Sequence, residues 1–443
     1  MKIIQSYNCK IINTNKVFDG TISIFRKALS FVVPIVNKNW YIIKDLQLKS
    51  KNNFVEKLIH KTKDNPKPKY NFDDLFYKFP SYLRRDVISQ AIGIVSSYQS
   101  NLSNYNKERY TKISNGKKFK KKEPKLQIKH YKNPVLFKGN MFKRSSLNEI
   151  QIKIYKNNDW VWLNAKLRQQ DINYILKKCN SFKESSPSLI KKGRKYFLQF
   201  SYESIAKLSN APVSKQIVLG VDLGLNHSAV CSVINSQGTV VGRKFINQPI
   251  EKDRMNKLLN RSKKKYYQTG SKQNMPKIWG KINSYNKQII NNTVCEIIKF
   301  AKQYNVTTIV MEYLSFKGKK KNKKMQLQMW AKRTINHKVQ EKAHSVGIKF
   351  CQVCAKNTSQ LAFDGSGSVK RNKLKYNLCT FSSGKTYNCD LNASYNIAAR
   401  GLIKIYNKAI PAKEWSLIEA KVPLLMRRTQ CTLSTLISLA KVI

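Results

Sequence analysis

Acid is scarce in this sequence. Its 443 residues hold 24 Asp+Glu against 84 Lys+Arg, a formal charge of +60. Charge this one-sided repels itself unless a polyanion compensates it. Each phosphate neutralised by Lys or Arg also releases counterions, so nucleic acid is the expected partner. Drift of an AT-rich genome is the plainer explanation, but drift accounts for lysine gained more readily than for acid lost. Histidine (5) and cysteine (9) are thinly scattered, and the odd cysteine count gives no disulfide framework. Long apolar runs are missing too. The apolar tail Thr432–Ile443 is too short to span a bilayer, and the opening MKIIQSYNCK lacks the apolar core of a signal peptide. The expectation is a reduced, intracellular protein with no membrane partner.

What is present falls into blocks. Lys2–Ile12 reads as one strand and Asn13–Asn15 as a turn. From Phe18 to Leu102 the pattern is helical, clearest where Val87, Ala91, Ile94, Val95, Tyr98 and Leu102 recur at helical steps. Lys112–Lys125 is a basic linker broken by Gly and Pro, and Arg84, Arg85, Lys117, Lys118, Lys120 and Lys121 are candidate phosphate contacts. From Leu126 to Ser204 the signal alternates (LQIKHY, PVLFKG, IQIKIYK, WVWLNAKL, KYFLQFSYE), predicting a small barrel or sandwich with Asp171–Cys179 as an inserted helix. Trp160, Trp162 and Tyr196 could stack bases, but core packing is the stronger reading for most of them. After a linker at 207–215 come strand Ile217–Val221, a hairpin around Ser236-Gln237-Gly238 and a long helical tract. Strand Val306–Met311, helix Met325–Val346 and strand Ile348–Val353 follow, a mixed α/β pattern.

Two of the rare acids end apolar strands: Asp222 after IVLGV and Glu312 after VTTIVM. A third, Asp390, opens a helical pattern in NCDLNASYNIAARG. Singly they read as a turn residue, a solvated strand end and a helix N-cap. Together they repel one another unless a divalent cation neutralises them. Hard oxygen ligands without His or Cys suit Mg²⁺ or Mn²⁺, the ions that hydrolyse phosphodiesters in pairs.

GVDLGLNHSAV, IVMEYLS and CDLNASYNIA resemble the split acidic motifs of RuvC-type, RNase H-like nucleases. Their order is similar to that of TnpB, the RNA-guided nuclease of bacterial insertion sequences, and of compact type V CRISPR effectors. The motifs cover about 217–402. The resemblance implies a multidomain α+β chain in which an N-terminal β-barrel wedge (1–15 and 116–210) is interrupted by a helical recognition lobe (16–115). An α/β nuclease domain (216–356 and 389–443) with a small ribbon-like insert (357–388) would follow. It implies Asp222, Glu312 and Asp390 as catalytic, metal-binding acids, with Asn392 auxiliary to them. It also implies guide RNA and target double-stranded DNA as partners, and a cytoplasmic, nucleoid-associated place in a bacterium. Trp330 in QMWAKR fits a family pattern and is read as core.

One departure stands out. The family's zinc ribbon opens TS-x-x-Cys-x-x-Cys, whereas here Ala362 and Gly365 fill the cysteine slots after Thr358-Ser359, and of the second pair only Cys379 remains, with Ser382 opposite. Regrouping Cys351, Cys354, Cys379 and Cys389 around zinc is the alternative, but Cys379-x₉-Cys389 is the wrong spacing for a knuckle. The expectation is a ribbon or hairpin without zinc, turned at Phe363–Gly367, with Arg371, Lys373 and Lys375 toward phosphates. Three competitors stay open: a CRISPR effector with the same chemistry, an RNA-guided repressor that does not cut, and a guide-independent transposase or resolvase. No chemistry is assigned to 403–443.

Overall fold

The computed structural model describes residues 1–12, 16–63, 65–128, 132–179, 182–224, 226–270, 275–313, 323–372, 375 and 377–443, with backbone only at 269 and 323–330. The turn expected at Asn13–Asn15, Lys373 and the Trp330 side chain lie outside the described residues. Two compact units emerge: Lys2–Ser204, and Ile205–Ile443 together with Met1. Among the described residues no helix is long and apolar enough to cross a membrane.

The first unit opens with β1 (Lys2–Ile12), followed by α1 (Asp19–Lys38), α2 (Trp40–Ile43), α3 (Leu48–Ile59), α4 (Phe72–Leu75) and α5 (Ser81–Ser114). Then come β2 (Phe142–Arg144), β3 (Glu149–Lys156), β4 (Asp159–Leu167), α6 (Gln169–Cys179), β5 (Lys183–Glu184), β6 (Ser188–Lys192) and β7 (Lys195–Ile205). The strands form one sheet in the order β2-β3-β4-β1-β7-β5, with β6 also on β7. Strict alternation sends Tyr196, Leu198, Phe200 and Tyr202 of β7 inward. Tyr196 and Trp160 are buried, while Trp162 stays partly exposed beneath the Lys143 ammonium. On α5, Val87, Ala91, Ile94 and Val95 are buried as their spacing predicts.

The helices share one core with the sheet, in which Phe25, Leu29 and Val87 join Ile152 and Phe200. Close approach makes this possible. A Cβ on Gly20 of α1 would lie 2.8 Å from the Tyr155 carbonyl oxygen of β3, and the next residue, Thr21, accepts the Tyr155 N–H through its hydroxyl at 2.9 Å.

Two expected strands are not seen among the described residues. Leu126–Ile128 is irregular. Around Pro134–Gly139 there are only isolated bridges, Val135 to Ser188 and Lys138 to Phe142. Pro134 has no N–H to give a ladder, and the Val135 N–H goes to the Asp86 carboxylate at 2.9 Å.

The second unit holds β8 (Ile217–Asp222), β9 (Ala229–Asn235), β10 (Val240–Ile246), α7 (Pro249–Thr269), α8 (Pro276–Gln303), β11 (Thr308–Tyr313), α9 (Lys323–Ser345) and β12 (Lys349–Cys354). Small strands β13 (Lys370–Arg371), β14 (Leu378–Thr380) and β15 (Thr386–Asn388) precede α10 (Cys389–Ala409), α11 (Ala412–Lys421) and α12 (Leu433–Ala440). The main sheet runs β10-β9-β8-β11-β12. Strands β8, β9 and β10 are antiparallel, whereas β11 is parallel to both β8 and β12. The hairpin turns at Gly238, whose φ of +87° suits glycine. Both faces are covered, which is why the strands read as continuous apolar runs. Val218, Val230 and Val310 pack with α10 and the C-terminal helices, and Leu219, Val221, Ile309 and Met311 pack with α8 and α9.

Candidate active site

Strand register brings the first two acids together. Met311 pairs with Val221 in the parallel ladder, so the next residues along, Glu312 and Asp222, end neighbouring strands on the same line. Asp390 arrives from α10. Its helix is capped by Asn388, whose side chain accepts the Leu391 N–H at 2.9 Å, so Asp390 is not the N-cap and its carboxylate is not spent on that role.

Glycines set how near α10 can come. A Cβ on Gly220 of β8 would collide with the Ser394 carbonyl and stand 2.7 Å from Ala398, and a Cβ on Gly401 would collide with Val310. At Gly224 a Cβ would meet the His227 carbonyl at 2.8 Å and Asp390 Oδ2 at 3.3 Å. The helix therefore lies directly on β8 and β11, with Asp390 against the turn that follows Asp222.

The electrostatics follow from this packing. Burial pushes the Asp222 carboxyl up to about 7, and the neighbouring charges of Glu312 and Asp390 push it the same way, while Lys332 and the Leu223 N–H oppose them. Burial also raises Glu312, against a hydrogen bond from Thr358 and the charges of Lys332 and Arg400. The Thr358 hydroxyl donates to Glu312 Oε1 at 2.5 Å.

Among the described residues, no group of three or more His, Cys, Asp or Glu is drawn close enough to close on an ion. The donor chemistry nevertheless fits one. A half-buried carboxylate whose neighbours are two further carboxylates has too little positive charge around it, and an all-oxygen donor set favours a hard divalent cation.

Asn392, expected to assist the acids, does something else. Its Oδ1 accepts the Phe363 N–H at 2.8 Å and its Nδ2 donates to the Leu361 carbonyl at 2.8 Å. Asn396, one turn on, donates to the carbonyls of Thr358 (3.0 Å) and Leu361 (2.9 Å). The two amides hold the start of the insert on α10, and Thr358 links that insert to Glu312. Arg400, from the same helix, is buried and donates to the carbonyls of Cys354, Lys356, Thr429 and Cys431.

The insert is a three-stranded sheet, β13-β14-β15. Turns at Gly365 (φ +84°) and Gly367 (φ +105°) fall where the sequence placed them. In the cysteine slot, Ala362 packs with Cys379, Phe381 and Cys389, and the Phe363 ring stands edge-on to Phe381, Tyr387 and Tyr395 at 5.1–5.4 Å. Cys351 and Cys354 belong instead to β12.

The basic candidates divide. Arg84 is buried, 3.2 Å from Glu56 and 3.8 Å from Asp73, so it is an internal ion pair and not a phosphate contact. Arg85 is exposed, near Glu56 and over the Tyr82 ring. Lys117, Lys118 and Lys120 are exposed, and Lys121 pairs with Glu108 at 3.0 Å. Arg371 is exposed and donates to Ser359 Oγ, and Lys375 is exposed. Sequence reasoning missed Thr358, Lys332, Asn396 and the packing glycines. Gly220 and Gly224, flanking Asp222 at two residues on either side, were the available signal.

Residues 203–424 match the family model described as RuvC nuclease domain, and residues 5–156 match the Aq_aa04 family. A curated relative, the uncharacterized protein aq_aa04 of Aquifex aeolicus (strain VF5), is 33% identical over 24% of this chain and 70% of its own length. Among solved structures, the mini-RNA-guided endonuclease CRISPR-Cas_phi3 is similar in fold. Its TM-score is 0.54 at 10% identity, over 93% of each chain. A Cas12f1 chain, solved with sgRNA and target DNA, matches at a TM-score of 0.46 and 12% identity over 89% of this chain and 98% of that one.

Proposed function

Because the chain belongs to the RuvC nuclease domain family, and in its N-terminal part to the Aq_aa04 family, we propose that it is an RNA-guided DNA endonuclease that hydrolyses phosphodiesters with a divalent metal. The observation that carries this reading is Asp222, half-buried at a strand end with Glu312 and Asp390 raising its affinity for positive charge. These three carboxylates would hold Mg²⁺ or Mn²⁺, which supplies Lewis acidity at the scissile phosphate and at the attacking water. The protein's own groups prepare the place. Thr358 fixes one oxygen of Glu312, and Lys332 offsets the charge of both strand-end acids. The α10 N-terminus adds its partial positive charge beside Asp390.

Guide RNA and target double-stranded DNA as partners are supported by the +60 charge and by the fold shared with CRISPR-Cas_phi3, itself named an RNA-guided endonuclease. In this proposal the sheet segments 1–15 and 116–210 form the wedge and 16–115 the recognition lobe. The gene would be transposon-borne, as in TnpB.

Asp222→Ala or Glu312→Ala is expected to abolish Mg²⁺-dependent cleavage while RNA and DNA binding survive. Cleavage by Asp222→Ala at the wild-type rate would sink the assignment. Sequencing the RNA that co-purifies should return a defined scaffold with a variable 3′ segment, and bulk random RNA would count against a guide.

A further inference from the structure

Two cations act on the strand-end acids, and they are differently placed. Arg400 influences Glu312 but is buried, with its donors given to four backbone carbonyls. Lys332 on α9 influences both Asp222 and Glu312. It is half-buried, and among the described residues it has no hydrogen-bond or ion-pair partner. Its charge is uncommitted.

The fold decides where that charge stands. Strands β11 and β12 are parallel, so α9 between them runs back against the strand direction. Its early turns therefore lie at the end of the sheet that carries the acids. Asn336 fixes the level. Its Nδ2 donates to the Glu312 carbonyl at 3.2 Å, while its Oδ1 accepts the Gln352 amide at 2.9 Å. Lys332 lies four residues earlier on the same helix face, about 6 Å further along the axis. Helical side chains also lean toward the N-terminus, which carries the ammonium past the level of the Glu312 backbone. There Lys332 lines a cavity of about 470 Å³ whose wall also includes Gly224, the residue against which Asp390 packs.

A lysine head is a compact charge with three donors on a long stem, and it suits an oxygen whose charge changes during reaction. Acids that hold a divalent cation have less charge left for an ammonium, whereas a phosphate beside them gains charge as it is attacked. We propose that Lys332 is a catalytic residue, donating to a non-bridging oxygen of the scissile phosphate and stabilising the charge that grows there. The proposal rests on the nuclease reading, which places the scissile phosphate at the acids.

The test has two arms, both with the full chain and its co-purified RNA. In the first, Ca²⁺ replaces Mg²⁺ to hold off cleavage, and single-stranded DNA carrying an abasic aldehyde is added. A lysine amine in reach condenses with the aldehyde, losing water, and borohydride reduces the imine to a stable adduct. The α9 peptide bearing Lys332 is expected to carry one, and Lys332→Arg to lose it. Adducts on other lysines only would overturn the proposal whether or not the protein cuts.

In the second arm, cleavage is measured at saturating DNA and Mg²⁺. Lys332→Gln should cut about a hundredfold slower with DNA affinity and melting temperature unchanged, and Lys332→Arg should recover most of the loss. Sulfur in place of one non-bridging oxygen of the scissile phosphate should slow the wild type, and that penalty should vanish in Lys332→Gln. A lysine that only balances the acids predicts otherwise. Lys332→Gln would then change the Mg²⁺ concentration required and still reach the wild-type rate, which would overturn the proposal and leave the nuclease intact. A wild type that never cuts with Mg²⁺ or Mn²⁺ would instead count against the nuclease reading, with the trapped peptide still deciding whether DNA reaches Lys332.

Discussion

Two aspartates, one in each compact unit, are raised by the same force in opposite surroundings: Asp86 is buried, and Asp222 is half-buried at a strand end. Asp86 on α5 is pushed up to about 6 by burial, and Asp222 on β8 to about 7. Asp86 is surrounded by donors. Both its oxygens accept the Gln90 amide, at 3.1 and 3.0 Å, and one also takes the Val135 N–H. It ties α5 to the segment that follows the basic linker. Asp222 accepts the Leu223 N–H and is partly offset by the Lys332 charge, but its neighbours Glu312 and Asp390 raise it further. Burial alone therefore says little about function. What separates a tie from a reactive site is whether the neighbours satisfy the charge or add to it.

The sharpest way to break the comparison is to exchange the same change between the two sites. Asp222→Asn should lose metal-dependent cleavage to below detection while its melting temperature holds or rises, since a repelling charge has gone. Asp86→Asn should cut normally. A cleavage assay run beside thermal melts reads both, and a cutting Asp222→Asn would end the distinction.

Next in size is Gly220→Val, which drives side-chain atoms into the Ser394 carbonyl and Ala398. It should cost about 3 kcal/mol or more in denaturant unfolding, with cleavage lost as α10 lifts Asp390 away.

Asp86 sets the third. It holds its proton more tightly folded (about 6) than at its ordinary 3.8, so the folded state binds more protons between those values. Stability of the wild type should therefore fall as pH rises from about 4 to about 6, by about 2–3 kcal/mol, and Asp86→Asn should lack that slope. A wild type that gains stability over this window relative to the variant would reverse the sign.

The smallest is Thr358→Val. Losing the hydroxyl that holds Glu312 should cost about 1 kcal/mol and slow cleavage without ending it.

Much of this arrangement was legible in the sequence because strands buried on both faces write themselves as apolar runs, and a run ending in Asp or Glu stands out where acids are rare. The hairpin at Gly238 and the period of α5 were legible for the same local reason. Other features depended on distant partners. Arg84 reads like its neighbour Arg85, and only the fold shows that Glu56 and Asp73 take it inside. Pro134–Gly139 alternates like a strand, but its first N–H belongs to Asp86. Asn392 sits beside a predicted catalytic acid, yet the backbone of Leu361 and Phe363, far away in sequence, claims both ends of its amide.

The stitching of the insert to α10 has a practical side. With Asn392 and Asn396 gripping residues 358–363, and Arg400 gripping the carbonyls of Cys354 and Lys356, the segment is not a cassette. A chimaera that grafts a relative's metal-bearing ribbon between Cys354 and Cys389 would sever the thread from Thr358 to Glu312 unless the graft carries its own matching helix. Engineers seeking a smaller or retargeted variant should move the insert and α10 as one part.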